Sequence, residues 1–125
     1  MKLSEIIEAY RDYFERGELP YILCQSCGYA FYYCRDFCPK CASNSIVIRR
    51  SVGEGKVFSA TRIHTKNGGK IAYGIVQLRE GFRMYCNLDE EQEEARIDAA
   101  ISIIFKEING KKYPYGKIVG KSSNS

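Results

Sequence analysis

Four of the six cysteines stand as Cys24-Gln-Ser-Cys27 and Cys38-Pro-Lys-Cys41, two C-x2-C pairs with ten residues between them. A two-residue gap lets a tight turn aim two thiolates at one point. Two such turns complete a tetrahedral shell of four sulfurs, which suits Zn²⁺ and also accepts iron. Gly28 follows the first pair, where a knuckle turn uses a positive φ, and Pro39 stiffens the second. Four thiolates leave no open position on the ion, so one structural Zn²⁺ per chain is expected, with no catalytic role. Binding of this kind supplies roughly 10–16 kcal/mol of folding free energy, in place of a core that a thirty-residue segment is too short to build. A disulfide framework belongs to oxidising compartments, and the polar opening Met1-Lys2-Leu3-Ser4-Glu5 has no apolar signal region. A thioredoxin-type redox pair would need one C-x2-C in a βαβ context, which is missing.

The remaining reactive side chains point away from catalysis. Cys86 falls in the alternation Phe82, Met84, Cys86, Leu88 and reads as a small buried hydrophobe. Cys34 sits among aromatics between the two knuckles, with no base nearby in sequence, and reads as packing. His64, the one histidine, has no serine or cysteine near it in sequence to form a nucleophile pair. No glycine-rich phosphate loop of the P-loop or dinucleotide kind occurs. The expectation is a chain without turnover of its own.

These residues are carried by 125 residues, 45% hydrophobic and 27% charged, which is a globular chain of one or two small modules. No apolar run approaches the ~18 residues of a membrane span, so a cytoplasmic chain with no membrane partner is expected. Leu3, Ile6, Ile7, Tyr10 and Phe14 recur at helical spacing, with Ser4 as cap and Gly17 as stop, which predicts an N-terminal helix within residues 1–20. Its apolar stripe can pack on its own domain or receive a partner subunit. Residues 21–50 read as a zinc ribbon, with strands at Tyr21–Leu23 and Ile46–Arg49 around the knuckles. Residues 51–119 read as five strands, at Val57–His64, Ile71–Leu78, Phe82–Leu88, Ala100–Glu107 and Lys112–Val119, with an acidic helical turn over Asp89–Ala95. That succession matches an OB-type barrel. Gly53 and Gly55 fit the bend that closes it, Pro114 suggests an edge strand, and residues 120–125 read as a frayed tail.

The ordered run Cys24-x-x-Cys27-Gly28, Arg35, Cys38-Pro39-x-Cys41-x-Ser43 and Gly53-x-Gly55-x-Val57-x-Ser59-x-Thr61 resembles the domain-of-unknown-function-35 family. Ala72-Tyr73-Gly74-Ile75-Val76-Gln77-Leu78-x-Glu80-Gly81 and Asn87-Leu88 extend the likeness over most of residues 10–119. The resemblance implies a mainly β chain with an N-terminal helix, a rubredoxin-like zinc ribbon and a five-stranded OB-fold barrel. It further implies a non-catalytic accessory or scaffold subunit for acyl-CoA chemistry. The expected partners are a thiolase or a hydroxymethylglutaryl-CoA synthase-like enzyme, with CoA or acyl-CoA bound on the barrel. Two departures stand out: Tyr33-Cys34-Arg35 replaces a Pro-Pro-Arg common between the knuckles, and the loop Thr65–Lys70 lacks the proline often found there.

CoA carries phosphates on an adenosine, so a receptor needs cations and backbone donors beside a narrow channel. Arg62, Lys66, Lys70 and Arg83 are the candidate cationic edge. Basic residues outnumber acidic ones by three over residues 21–50 and by four over 51–88, whereas acids lead by five over 89–109. A positive middle also suits single-stranded nucleic acid, with Tyr73, Tyr85, Tyr113 and Tyr115 beside Arg83, Lys111 and Lys112 as a stacking platform. The modest net charge of +4 and the acidic block favour the accessory reading.

Overall fold

The computed structural model describes residues 2–90 and 96–121. Helix α1 spans Leu3–Glu15. Its cap is Lys2 rather than Ser4: the Lys2 backbone is extended, and its N–H donates to the Glu5 carboxylate at 2.7 Å, which leaves Ser4 inside the first turn. Gly17 ends the helix as expected, at φ 72°. Its N–H donates to Phe14 O and that of Glu18 to Tyr13 O, the paired bonds that let a left-handed residue satisfy the last carbonyls.

Strands β1 (Pro20–Cys24), β2 (Ala30–Phe31) and β3 (Ile46–Arg50) form a small antiparallel sheet in the order β2-β1-β3. The helix lies on it. Ile6 and Tyr10 are buried with Ile22, Phe31, Ile46, Cys24 and Cys38, and the Tyr10 hydroxyl donates to Tyr32 O at 2.5 Å. The stripe therefore divides: Ile6 and Tyr10 face the ribbon, Phe14 meets Phe105 of the barrel, and Leu3 and Ile7 stay exposed.

Strands β4 (Glu54–His64), β5 (Lys70–Leu78), β6 (Arg83–Asp89), β7 (Ala99–Ile108) and β8 (Lys111–Lys121) close a barrel in the order β4-β5-β6-β8-β7. All neighbours are antiparallel except β6 and β8, and β4 meets β7 to complete the ring. This is the OB arrangement. Closure in so small a barrel forces backbones together, and two glycines permit it. A Cβ on Gly74 would lie 2.0 Å from Ser59 O, and one on Gly55 2.1 Å from Gln77 O. The intervening register shift at Val57/Ser59 supplies the bend. Alternating side chains (Val57, Ala72, Val76, Leu78, Met84, Leu88, Ile101, Ile118) fill the interior.

Pro114 does not mark an edge strand, because β8 lies between β6 and β7. The pairing of β8 with β6 begins only at Tyr115, so the N–H that proline lacks is not needed there. Strand β8 continues through Gly120 and Lys121, paired with Ala100 and Ala99, two residues into the expected tail; residues 122–125 lie outside the described residues. Of the expected acidic turn, Asp89 ends β6 and 91–95 lie outside the described residues.

Ribbon and barrel share packing. Phe82 is stacked between Tyr21, with ring centroids 5.0 Å apart, and Tyr32, at 6.1 Å. Leu19 and Tyr21 belong to the barrel core.

Candidate metal centre

The two knuckles are copies of one backbone device. Gly28 N–H donates to Cys24 O at 2.9 Å and Ala42 N–H to Cys38 O at 2.8 Å, with φ of 78° and 64°. The second is a strained position that the sequence reading missed, because a residue other than glycine occupies it. A further pair of bonds, Cys24 N–H to Tyr29 O and Cys38 N–H to Ser43 O, ties each loop's exit back to its entry.

The four sulfurs of Cys24, Cys27, Cys38 and Cys41 all lie within 4.8 Å of one another. Cys24 and Cys41 approach to 3.6 Å and Cys27 and Cys38 to 3.7 Å. A tetrahedron with Zn–S bonds of about 2.3 Å has S···S edges of about 3.8 Å, so the residues fit a four-sulfur ion site. Disulfide bonds, at about 2.05 Å, are far shorter. Cys24 and Cys38 are buried under the helix, and Cys27 and Cys41 close the outer side. The backbone N–H of Cys27, aided by that of Ser26, draws the Cys24 thiol down to about 6. Cys41 moves the other way, to about 12: a bond from the Ser43 backbone opposes this, but desolvation and the neighbouring sulfurs hold its proton. Protons shared among crowded sulfurs are what a dication displaces when it takes all four as thiolates.

No family model matches the chain. A curated relative from Methanocaldococcus jannaschii, described as a DUF35 domain-containing scaffold protein, is 26% identical over 111 residues, covering 82% of this chain and 78% of its own. Among solved structures, an Ltp2-ChsH2(DUF35) aldolase superposes with a TM-score of 0.75 at 19% identity, over 89% of this chain and 92% of its own. A DUF35-family protein of unknown function from Sulfolobus solfataricus gives 0.67 at 16% identity, over 89% and 83%. The chain resembles DUF35 proteins in sequence, through the M. jannaschii relative, and shares their fold.

In this chain the four candidate cations do not share one place. Arg62 and Lys70 sit at the barrel mouth beside the nearly buried Glu90, which accepts from Arg62 Nε at 2.9 Å and lies 3.7 Å from Lys70 Nζ. Lys106 adds a second pair there, 3.1 Å from Asp89 and over the Tyr115 ring. The resulting cleft, of about 510 Å³, mixes both signs of charge. Lys66 is exposed in the β4–β5 turn. Arg83 lies toward the far end of β5 from Lys70, paired in register with Gln77, and stacks on Phe58 at 3.8 Å.

The aromatic platform also divides. Tyr73, Tyr85 and Arg83 share the outer face of β5 and β6, whereas Tyr113, Tyr115, Lys111 and Lys112 belong to β8. Phe58 and Tyr33 join the first group, which no local pattern signalled. Cys34 packs against the ribbon core, and burial raises its thiol above the usual range. Cys86 packs against the barrel core, where burial pushes it to about 11. His64 ends β4, exposed.

Proposed function

We propose that the chain is a non-catalytic accessory subunit, holding one structural Zn²⁺, that binds a thiolase or hydroxymethylglutaryl-CoA synthase-like enzyme and contributes to binding its CoA or acyl-CoA. The observation that carries this reading is an exposed apolar face. On the outer side of β4, β5 and β6, Ile63 is paired with Ile71 and Ile75 with Tyr85, and Phe58 and Tyr33 stand beside them, five of the six at least 44% exposed. Large patches of this kind mark protein contacts. The scaffold description of the M. jannaschii relative supports the same role, and the aldolase neighbour is described with two named components. A filled barrel and a four-sulfur ion shell suit a scaffold, whose task is to hold shape. Arg62, Lys66, Lys70 and Arg83 remain the proposed cationic contacts for the ligand, Arg62 and Lys70 together at the barrel mouth and Lys66 and Arg83 apart from them.

The partnership is tested by co-expressing the chain with such an enzyme and resolving the mixture by size. A stable complex whose formation is lost in Tyr85→Glu, with the variant still folded, is expected. An enzyme that stays separate, with unchanged activity when the chain is added, refutes the reading. A second reading, single-stranded nucleic acid, is favoured by the convergence of Tyr73, Tyr85 and Arg83 on the β5–β6 face, the side through which OB barrels bind oligonucleotides. Among the described residues no helix is long and apolar enough to cross a membrane, and the proposed setting is cytoplasmic.

A further inference from the structure

A cleft of about 570 Å³ runs between ribbon and barrel, reaching Pro39 of the second knuckle and apart from the barrel mouth. That size suits a small ligand. Tyr29, Tyr33 and Arg35 line it from the ribbon, and Gln77 and Arg83 from the barrel. Among the described residues no carboxylate lines it.

The two arginines differ from Arg62 in what holds them. Arg62 is bound to a nearly buried carboxylate. Arg83 rests on the Phe58 ring at 3.8 Å, with Nε donating to Gln77 at 3.2 Å, and Arg35 lies 5.9 Å from the Phe37 ring. Neutral planar supports orient a guanidinium without cancelling its charge, which leaves its fork of donors available to an oxyanion.

The tyrosines are equally placed to receive a ring. Tyr33 is 52% exposed, yet its hydroxyl accepts from the Tyr85 backbone N–H at 3.0 Å, which anchors the ring across the ribbon–barrel boundary. Tyr29 is 41% exposed, stacks on Phe31 at 6.1 Å and has the Lys40 ammonium 5.8 Å from its ring centroid, a further cation at this end of the cleft. Exposed aromatic faces beside cations are the combination that binds bases with their phosphates.

We propose that this cleft binds a nucleotide, with the base against Tyr29 and Tyr33 and a phosphate between Arg35 and Arg83. The same chemistry is presented by a nucleotide coenzyme and by a single strand of nucleic acid. Where the source is CoA, the inference rests on the acyl-CoA reading above and places its nucleotide end.

The test is titration of the zinc-loaded full chain, alone, with adenosine 3′,5′-bisphosphate, CoA, inorganic phosphate and a labelled ten-residue oligothymidylate. Binding of at least one nucleotide ligand at low salt, weakening as salt rises, is expected. Arg83→Ala and Arg35→Ala should each weaken it at least tenfold, Arg83→Lys less, and Lys111→Ala, on β8, not at all. Bisphosphate and CoA binding without the oligonucleotide assigns a coenzyme; the oligonucleotide alone assigns a strand. Absence of all binding, indifference to both arginine substitutions, or inorganic phosphate binding as tightly as the bisphosphate overturns the proposal. Because no partner enzyme is present, nucleotide binding without complex formation, or the reverse, separates this inference from the accessory role.

Discussion

The paired knuckles allow a substitution experiment in which one backbone conformation is tested with opposite signs. Ala42 and Gly28 occupy the same place in their loops, each donating its N–H to the carbonyl of the first cysteine, and both have positive φ, 64° and 78°. A side chain in the left-handed region costs about 1–2 kcal/mol. Exchanging glycine and alanine also changes the freedom of the unfolded chain by about 0.4–1 kcal/mol in the opposing direction. Ala42→Gly should therefore stabilise the loaded ribbon by about 0.5–1 kcal/mol. Gly28→Ala should destabilise it by a similar amount with no steric clash added, since a Cβ on Gly28 would meet nothing within 4 Å. Since the loops are ordered as the metal binds, these energies appear in metal affinity, about two- to fivefold in each direction. Competition for Zn²⁺ against a chromophoric chelator at fixed pH measures the change. Weaker metal binding in Ala42→Gly, or an unchanged affinity in Gly28→Ala, would refute the claim that φ strain governs these knuckles.

Cys38→Ser removes a buried ligand of the four-sulfur set; elemental analysis should find the ion lost, with a clear fall in Tm, and retained thermal stability would mean that the site is not structural. Phe82→Ala empties the stack between Tyr21 and Tyr32 and should cost about 3–5 kcal/mol in denaturant unfolding, since a buried aromatic leaves a cavity that the rigid walls cannot fill. Stability should also fall as pH rises above 9. Burial raises Cys86 from 9.0 to about 11 and lifts Tyr10 and Tyr32 well above their usual range, so the unfolded chain ionises first and its ionisation favours unfolding. Full stability is present below pH 9 and is lost toward and beyond pH 11; a flat alkaline profile by circular dichroism would contradict this assignment.

Local features were legible wherever one stretch of chain contained the whole cause. The helix stop at Gly17 and the aim of each cysteine pair are of this kind, as are the strand positions in the barrel, where a period-two alternation marks the buried face directly. The two-residue strand Ala30–Phe31 was not legible, because it exists only through its bonds to β1. Ala42 was missed because its conformation is imposed by the loop against the preference of its side chain. Pro114 misled because edge character depends on which strand lies alongside, and β6 reaches only as far as Tyr115.

The amino-acid order by itself determined the four cysteines that could hold an ion, the succession of one helix, a ribbon and five barrel strands, and the likeness to the DUF35 family. These follow from spacing and alternation, which act over a few residues. Only the tertiary structure decided which charges are cancelled and which are not. Arg62 and Arg83 look alike along the chain, but barrel closure lays Arg62 against Glu90, 28 residues away, and leaves Arg83 on an aromatic ring facing the ribbon. Pair energies between charges depend on distance and burial, and both are set by chain segments that no local pattern connects.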